Sequence, residues 1–362
     1  MKKIPVYKPC ITEVEKKYVN ECLDTEWISS RGKFVDQFEG AFADYIGVKY
    51  AISCSNGTTA LHVALLALGI GPGDEVIVPT LTYIASANAV TYTGAKPIFV
   101  DSAAGTWQID VDDVRRAITA RTRAIMAVHL YGQACNMNEI VALARDHDLL
   151  VVEDCAEAIG TRIGAQHVGT FGDIASFSFY GNKTITTGEG GMVVTNNPTL
   201  RNRTSHLKGQ GLAEFREYWH DIIGYNYRMT NICAAIGCAQ LERIDSTLAK
   251  KREIAGWYRA RLADAFEFQV EERGTTHSHW MVCLLVESAD ARDPLRNRLA
   301  QGGVETRPVF YPVHSMPMYA HAYRRMPVAD DVASRGINLP SYPDLAADEI
   351  EYICSLLTER QS

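Results

Sequence analysis

The chain has 362 residues, enough for one large domain with a smaller companion or for two to three ordinary domains. Apolar residues make up 47% and charged residues 22%, a globular composition with a sizeable core, which argues against a disordered chain. A net charge of -7 and a pI near 5.8 argue against the concentrated basic face of a nucleic-acid-binding protein, while leaving room for a local site that takes a small anion.

The opening stretch MKKIPVYKPCITEVEKKYV carries two early lysines but no apolar run of signal-peptide length, and no later segment reaches transmembrane length. A cytoplasmic protein with no membrane partner is expected. Nine cysteines are scattered without a C-x-x-C pair, as free thiols in a reducing compartment would be. Cys233 and Cys238 read as packing residues of a helix, and no zinc spacing appears, so no metal site is predicted.

From about residue 50 to 195, short apolar runs alternate with helical patterns: YAISC, then TTALHVALLAL, EVIVP, IASANAV, KPIFVD, RAIMAVH and LLVVED. Runs such as LLVV are apolar on both faces, as strands buried between two helix layers must be. The pattern predicts an α/β fold with a mainly parallel, doubly covered sheet. After about residue 200 the character shifts to longer helical stretches. NICAAIGCAQLERIDSTLAKKREIAGWYRARLADA reads as a long helix crossing between domains, followed by a strand in HWMVCLLVE, a helix in DPLRNRLAQGG and a strand in VETRPVFYPV. The expected division is a large domain over 1–245 and a small C-terminal α+β domain over 246–362.

Three short segments carry chemistry. SNGTTAL (55–61) follows a strand and opens a helix, where free backbone amides and the helix dipole favour a phosphate, although the same residues suit an ordinary cap and turn. EDCAEA (153–158) lies at the C-terminal end of the LLVV strand, the edge at which open parallel sheets bind ligands. Asp154 is therefore placed to hold a cationic ring nitrogen or, equally, to cap a helix, and Glu157 to complete a capping box or touch the same ligand. In SFSFYGNKTITTGEGG (176–191), alternation sends Phe177 and Phe179 to one side and Ser176 and Ser178 to the other, delivering Lys183 just past a strand end among small residues. A phosphate cradle, an aspartate for a pyridinium and a lysine for an aldehyde are together the requirements of pyridoxal 5'-phosphate (PLP).

SNGTTALHVALLALGIGPGDEVIVPTLTYIASANAV, VVEDCAEAIG and SFSFYGNKTITTGEGGMVVT, with GYNYRMTNICAAIG and VETRPVFYPVH, resemble the DegT/DnrJ/EryC1/StrS family of PLP-dependent sugar aminotransferases over nearly the whole chain. The resemblance implies an aspartate-aminotransferase-like fold (PLP fold type I) and a homodimer with active sites shared at the subunit interface. It implies Lys183 as the Schiff-base lysine, Asp154 on the ring nitrogen, and Thr58, Thr59 and Ser178 on the phosphate. Tyr83 would stack on the ring, Glu157 lie near the ring hydroxyl, and Asn226 reach the phosphate of the partner subunit's cofactor. The likeness is strongest to members that aminate C4 of GDP-4-keto-6-deoxy-D-mannose with L-glutamate as donor, passing through pyridoxamine 5'-phosphate. A UDP- or dTDP-linked keto sugar is the alternative substrate, and a PLP-binding regulatory protein without turnover is a second class of reading. A nicotinamide-dependent oxidoreductase would need a glycine fingerprint, G-x-G-x-x-G, that is missing. For the substrate, Arg31 in WISSRGKF and Arg307 and His314 in RPVFYPVH are candidates, each of which also reads as a loop or strand-end residue with a structural role.

Overall fold

The alternating runs between residues 50 and 195 fold into a seven-stranded sheet in a computed structural model that describes residues 3–322 and 324–359. Its strands run in the order Tyr50–Cys54, Gly191–Thr195, Ile174–Ser178, Leu150–Asp154, Thr122–Val128, Glu75–Pro79 and Lys96–Val100. All neighbouring pairs are parallel except those made by Gly191–Thr195, which runs antiparallel to both neighbours. The central strands are buried almost throughout because helices cover both faces.

On one face, Phe177 and Phe179 meet Phe38 and Phe42 of the helix Lys33–Ile46, with ring centroids 5.0–5.3 Å apart. Each ring is fully buried, worth roughly 1.5–3 kcal/mol of hydrophobic stabilisation. This packing anchors the end of the strand Ile174–Ser178, so the loop that follows starts from a rigid point. The opposite face is covered by the helix Gly57–Leu68, whose Leu61 and Leu65 join Val76, Val78 and Val193 in a second core.

A second, antiparallel sheet orders Glu267–Phe268, Val282–Leu285, Gly336–Leu339 and Arg307–Pro308. Its core joins Leu284 and Leu339 to Ile254 and Tyr258 of the helix Ile244–Leu262 and to Ile353 of the helix Ala347–Thr358. Ile4 belongs to the same cluster. Its N–H donates to the Gly303 carbonyl and its own carbonyl accepts from Glu305, both at 2.9 Å, so Ile4 packs in the second core rather than against the large sheet.

The long helix expected from residue 231 onward is two helices, Asn231–Leu241 and Ile244–Leu262. The break at Glu242 and Arg243 frees both side chains to bind the N-terminal region: Arg243 donates to Glu15 Oε1 at 2.6 Å and to the Cys10 carbonyl, and Tyr18 donates to Glu242 at 2.7 Å. Of HWMVCLLVE only Val282–Leu285 pairs as a strand, which leaves Trp280 just before the sheet. Among the described residues no helix is long and apolar enough to cross a membrane.

Candidate active site

The helix Gly57–Leu68 begins at the C-terminal edge of the large sheet. Asn56 caps it, its side chain accepting from the Thr59 N–H at 2.9 Å while the Asn56 N–H donates to the Thr59 hydroxyl at 3.2 Å. The Thr59 hydroxyl is thus held within the cap, and the amides of Gly57 and Thr58 are left at the helix end, where unpaired N–H groups concentrate positive potential. Gly57 lets Ser178 close the other side of this cradle: a Cβ on residue 57 would lie 2.7 Å from Ser178 Cβ and 2.9 Å from Ser178 Oγ. No side chain fits there.

The loop after Ser178 closes on itself through Phe179 N–H to the Gly190 carbonyl, Thr187 N–H to the Phe179 carbonyl and Lys183 N–H to the Tyr180 carbonyl, each 2.9 Å. Lys183 is held at the turn with its amine on the cavity, and the side chain is 12% exposed. Burial lowers its pKa, opposed by the Glu157 and Asp154 carboxylates, with Glu157 Oε1 3.5 Å from Nζ. The amine also sits 3.9 Å from the centroid of the Trp280 ring.

Asp154 ends the strand Leu150–Asp154 and is buried. Burial raises its pKa, while Ser86 Oγ donating to Oδ2 at 2.7 Å and the Ala156 N–H donating to Oδ1 at 3.1 Å favour the anion. Glu157 is pushed up to about 7 by burial, against the pull of Lys183; its Oε2 accepts the Tyr131 N–H at 2.8 Å. Beside this edge, His129, Glu153 and Cys155 lie close enough together to suggest a metal, but Glu153 already accepts N–H groups from Gly169, Phe171 and Gly172 and bonds His129 Nε2 at 3.1 Å. The His129 N–H donates to the Asp154 carbonyl, so this group braces the strand end.

One cavity of about 520 Å³ takes in Thr58, Thr59, Tyr83, Asp154, Glu157, Ser178 and Lys183. Tyr83 stands at its mouth, 56% exposed, its ring 5.6 Å from that of Phe310. Four sequence candidates lie off this cavity in the single chain. Asn226 is exposed and accepts from Arg228 at 3.2 Å; Arg31 is exposed in the loop between the first two helices; Arg307 is exposed and pairs with Glu305. His314 is buried, its Nδ1 2.6 Å from the Thr80 hydroxyl and its Nε2 3.6 Å from Asp330. The reasoning from sequence missed Trp280 and Phe310, which line the cavity, and Tyr131 behind them. Their rings stack in the order Trp280, Tyr131, Phe310, at 6.0 and 5.3 Å. The one sequence signal for this wall was Phe310, which lies inside RPVFYPVH.

These residues fit PLP. The Gly57 cradle suits a phosphate, the buried Asp154 carboxylate suits a protonated ring nitrogen, and Lys183 offers an amine of lowered basicity to an aldehyde. Comparison with known proteins agrees. The DegT/DnrJ/EryC1/StrS aminotransferase family matches residues 9–358. GDP-perosamine synthase of Escherichia coli O157:H7 is 59% identical over 359 residues, covering 99% of each chain, and that of Vibrio cholerae is 48% identical over 98% of each. Among solved structures, the PLP form of Spr1654 from Streptococcus pneumoniae superposes with a TM-score of 0.94 at 29% identity, covering 98% of each chain. With a cavity suited to PLP, the family's match from residue 9 to 358 and relatives that align along the full chain, this protein belongs to the DegT/DnrJ/EryC1/StrS aminotransferase family.

Proposed function

We propose that the chain is a PLP-dependent aminotransferase that converts GDP-4-keto-6-deoxy-D-mannose into GDP-perosamine (GDP-4-amino-4,6-dideoxy-D-mannose), taking the amino group from L-glutamate and releasing 2-oxoglutarate. The observation that carries it is the 59% identity, over almost all of both chains, to a GDP-perosamine synthase, on a chain whose cavity gathers Lys183, Asp154 and a phosphate cradle.

Bound PLP supplies the electron sink and carries the amino group between the two half-reactions. The rest is work for this chain's own groups. The Gly57 and Thr58 amides, with the Thr58 and Ser178 hydroxyls, bind the phosphate, and Thr59 serves mainly by holding the cap. Asp154 keeps a proton on the ring nitrogen; its low exposure strengthens that ion pair relative to water. Lys183 Nζ takes the proton from Cα of the donor and, in the second half-reaction, delivers one to C4 of the sugar. A base must be neutral to accept a proton, and burial of Nζ favours the neutral amine. Tyr83 and Trp280 wall the cavity with aromatic surface that excludes water from the proton transfers.

The reading extends to a cytoplasmic homodimer. The segment before Asn226 exposes Phe215 at 75%, Tyr218 at 92% and Ile223 at 88%, apolar surface that a second copy of the chain would cover while Asn226 reaches the partner's phosphate site. Arg31 and Arg307 are exposed cations that suit the substrate diphosphate in such an assembly, whereas the burial of His314 favours a supporting role. The purified protein, given L-glutamate and GDP-4-keto-6-deoxy-D-mannose, should form 2-oxoglutarate and the GDP-linked amino sugar in equal amounts. Faster turnover of a UDP- or dTDP-linked keto sugar would reassign the substrate, and a monomer by sedimentation would remove the shared site.

A further inference from the structure

The loop that carries Lys183 is held by two side chains that come from outside it. The Tyr7 hydroxyl donates to the Lys183 backbone carbonyl, and Trp280 Nε1 donates to the Asn182 backbone carbonyl at 2.7 Å. The loop's own bond, Lys183 N–H to the Tyr180 carbonyl, does not use either acceptor. Two consecutive carbonyls at the reactive residue are therefore bonded to donors separated by 273 positions in the chain, which fixes both the height and the tilt of the peptide that bears the lysine.

Both donors are held by segments that flank the second sheet. Ile4, three residues before Tyr7, pairs with the Gly303–Glu305 segment, and the Val6 carbonyl accepts the Ser341 N–H at 3.2 Å. The Tyr7 ring lies over Lys251 of the helix Ile244–Leu262, with Nζ 5.4 Å from its centroid, and that buried amine is itself fixed by donating to the Ser341 carbonyl at 2.6 Å. Trp280 leads directly into the strand Val282–Leu285 and is stacked on Tyr131 at 10° between ring planes. His279, just before it, has φ of 50°, a costly conformation for a residue with a Cβ.

We propose that Tyr7 and Trp280 are positioning residues for the aminotransferase reaction, forming a two-point clamp that sets Lys183 from the second sheet. The inference rests on the reading of Lys183 as the reacting lysine. It makes elements around the second sheet responsible for the geometry of a residue encoded in the large sheet, and it gives Tyr7, 176 positions before Lys183, a task at the active site.

The test uses the full chain, with and without PLP, as wild type, Tyr7→Phe, Trp280→Phe and the double variant. Tyr258→Phe is the control, since it removes a phenol hydroxyl bonded to the Pro340 carbonyl within the second core, away from the loop. Hydrogen exchange of the Lys183 amide in the PLP-free chain should quicken about fivefold in each single variant and further in the double, the loss of one net hydrogen bond each. In the loaded enzyme kcat should fall about tenfold with KM for the nucleotide sugar unchanged, as misplacement of the proton-transfer group predicts. Tyr258→Phe should change neither readout. Wild-type exchange at Lys183 in both single variants, or the same change in Tyr258→Phe, would overturn the clamp. Because exchange needs no turnover, an inactive wild type would overturn the proposed function while the exchange comparison still decided the clamp.

Discussion

The cavity has two walls of different origin. The sheet-edge wall, with Gly57, Asp154 and Ser178, is made at the ends of neighbouring strands, where backbone geometry alone brings the groups together. The facing wall, with Trp280, Tyr131 and Phe310 and with Tyr7 behind, is assembled from segments far apart in sequence that meet only when the second sheet packs on the first. The first wall carries the charges; the second adds apolar surface to a site where burial moves Lys183 down and Glu157 up in pKa. Reactivity depends on both, since an amine in water at the same sheet edge would remain an ordinary protonated lysine.

Substitutions on the two walls should therefore have different signatures. Lys183→Ala removes the group proposed to move protons in both half-reactions, and turnover should drop by about 10⁴-fold or more, while PLP still binds noncovalently by spectroscopy. Full activity in that variant would refute the assignment. Asp154→Asn keeps the shape but not the charge, and both half-reactions, followed separately by stopped-flow absorbance, should slow by about 10²–10³-fold. Wild-type rates would count against a role at the ring nitrogen.

Gly57→Ala tests the cradle itself. A Cβ 2.7 Å from Ser178 Cβ must displace either the strand end or the helix, so stability should fall by about 1–3 kcal/mol. Affinity for PLP should fall about tenfold if the Gly57 and Thr58 amides lose their aim at the phosphate. Unchanged PLP affinity in a folded variant would place the phosphate elsewhere.

A separate effect, on stability alone, belongs to the second sheet. Burial lowers the Lys251 pKa to about 7 from an ordinary 10.5, so between those values the folded chain binds fewer protons than the unfolded one and stability rises with pH. Lys251→Met should flatten that rise, as denaturant midpoints taken across the same window would report. A wild-type slope retained in the variant would mean that another group titrates there.

The contrast between the walls also explains what could be read from the sequence. The parallel sheet follows from apolar runs such as LLVV, and Asp154 and Lys183 follow from their places just at or past strand ends, because both are local signals. Trp280 gave no such signal. It stands in a continuous apolar run that reads as a strand, and contacts with the distant Tyr131 and Asn182 place its ring beside Lys183. Tyr7 is equally silent, since its partner carbonyl is 176 positions away. Among the substrate candidates, a loop's composition says nothing about which way a side chain turns: His314 faces Thr80 and Asp330, and Arg307 faces Glu305. The break after Leu241 leaves no local signal, because Glu242 and Arg243 are good helix formers and their partners Tyr18 and Glu15 lie more than 200 positions away.

The most direct test is a single turnover. The protein is loaded with pyridoxamine 5'-phosphate, mixed with GDP-4-keto-6-deoxy-D-mannose, and followed at the visible absorption of lysine-bound PLP. This band should grow in with one equivalent of GDP-linked amino sugar, and Lys183→Ala should form no such band. No band with this sugar, when 2-oxoglutarate restores it in the same preparation, would contradict the substrate; no band with either would contradict the aminotransferase itself.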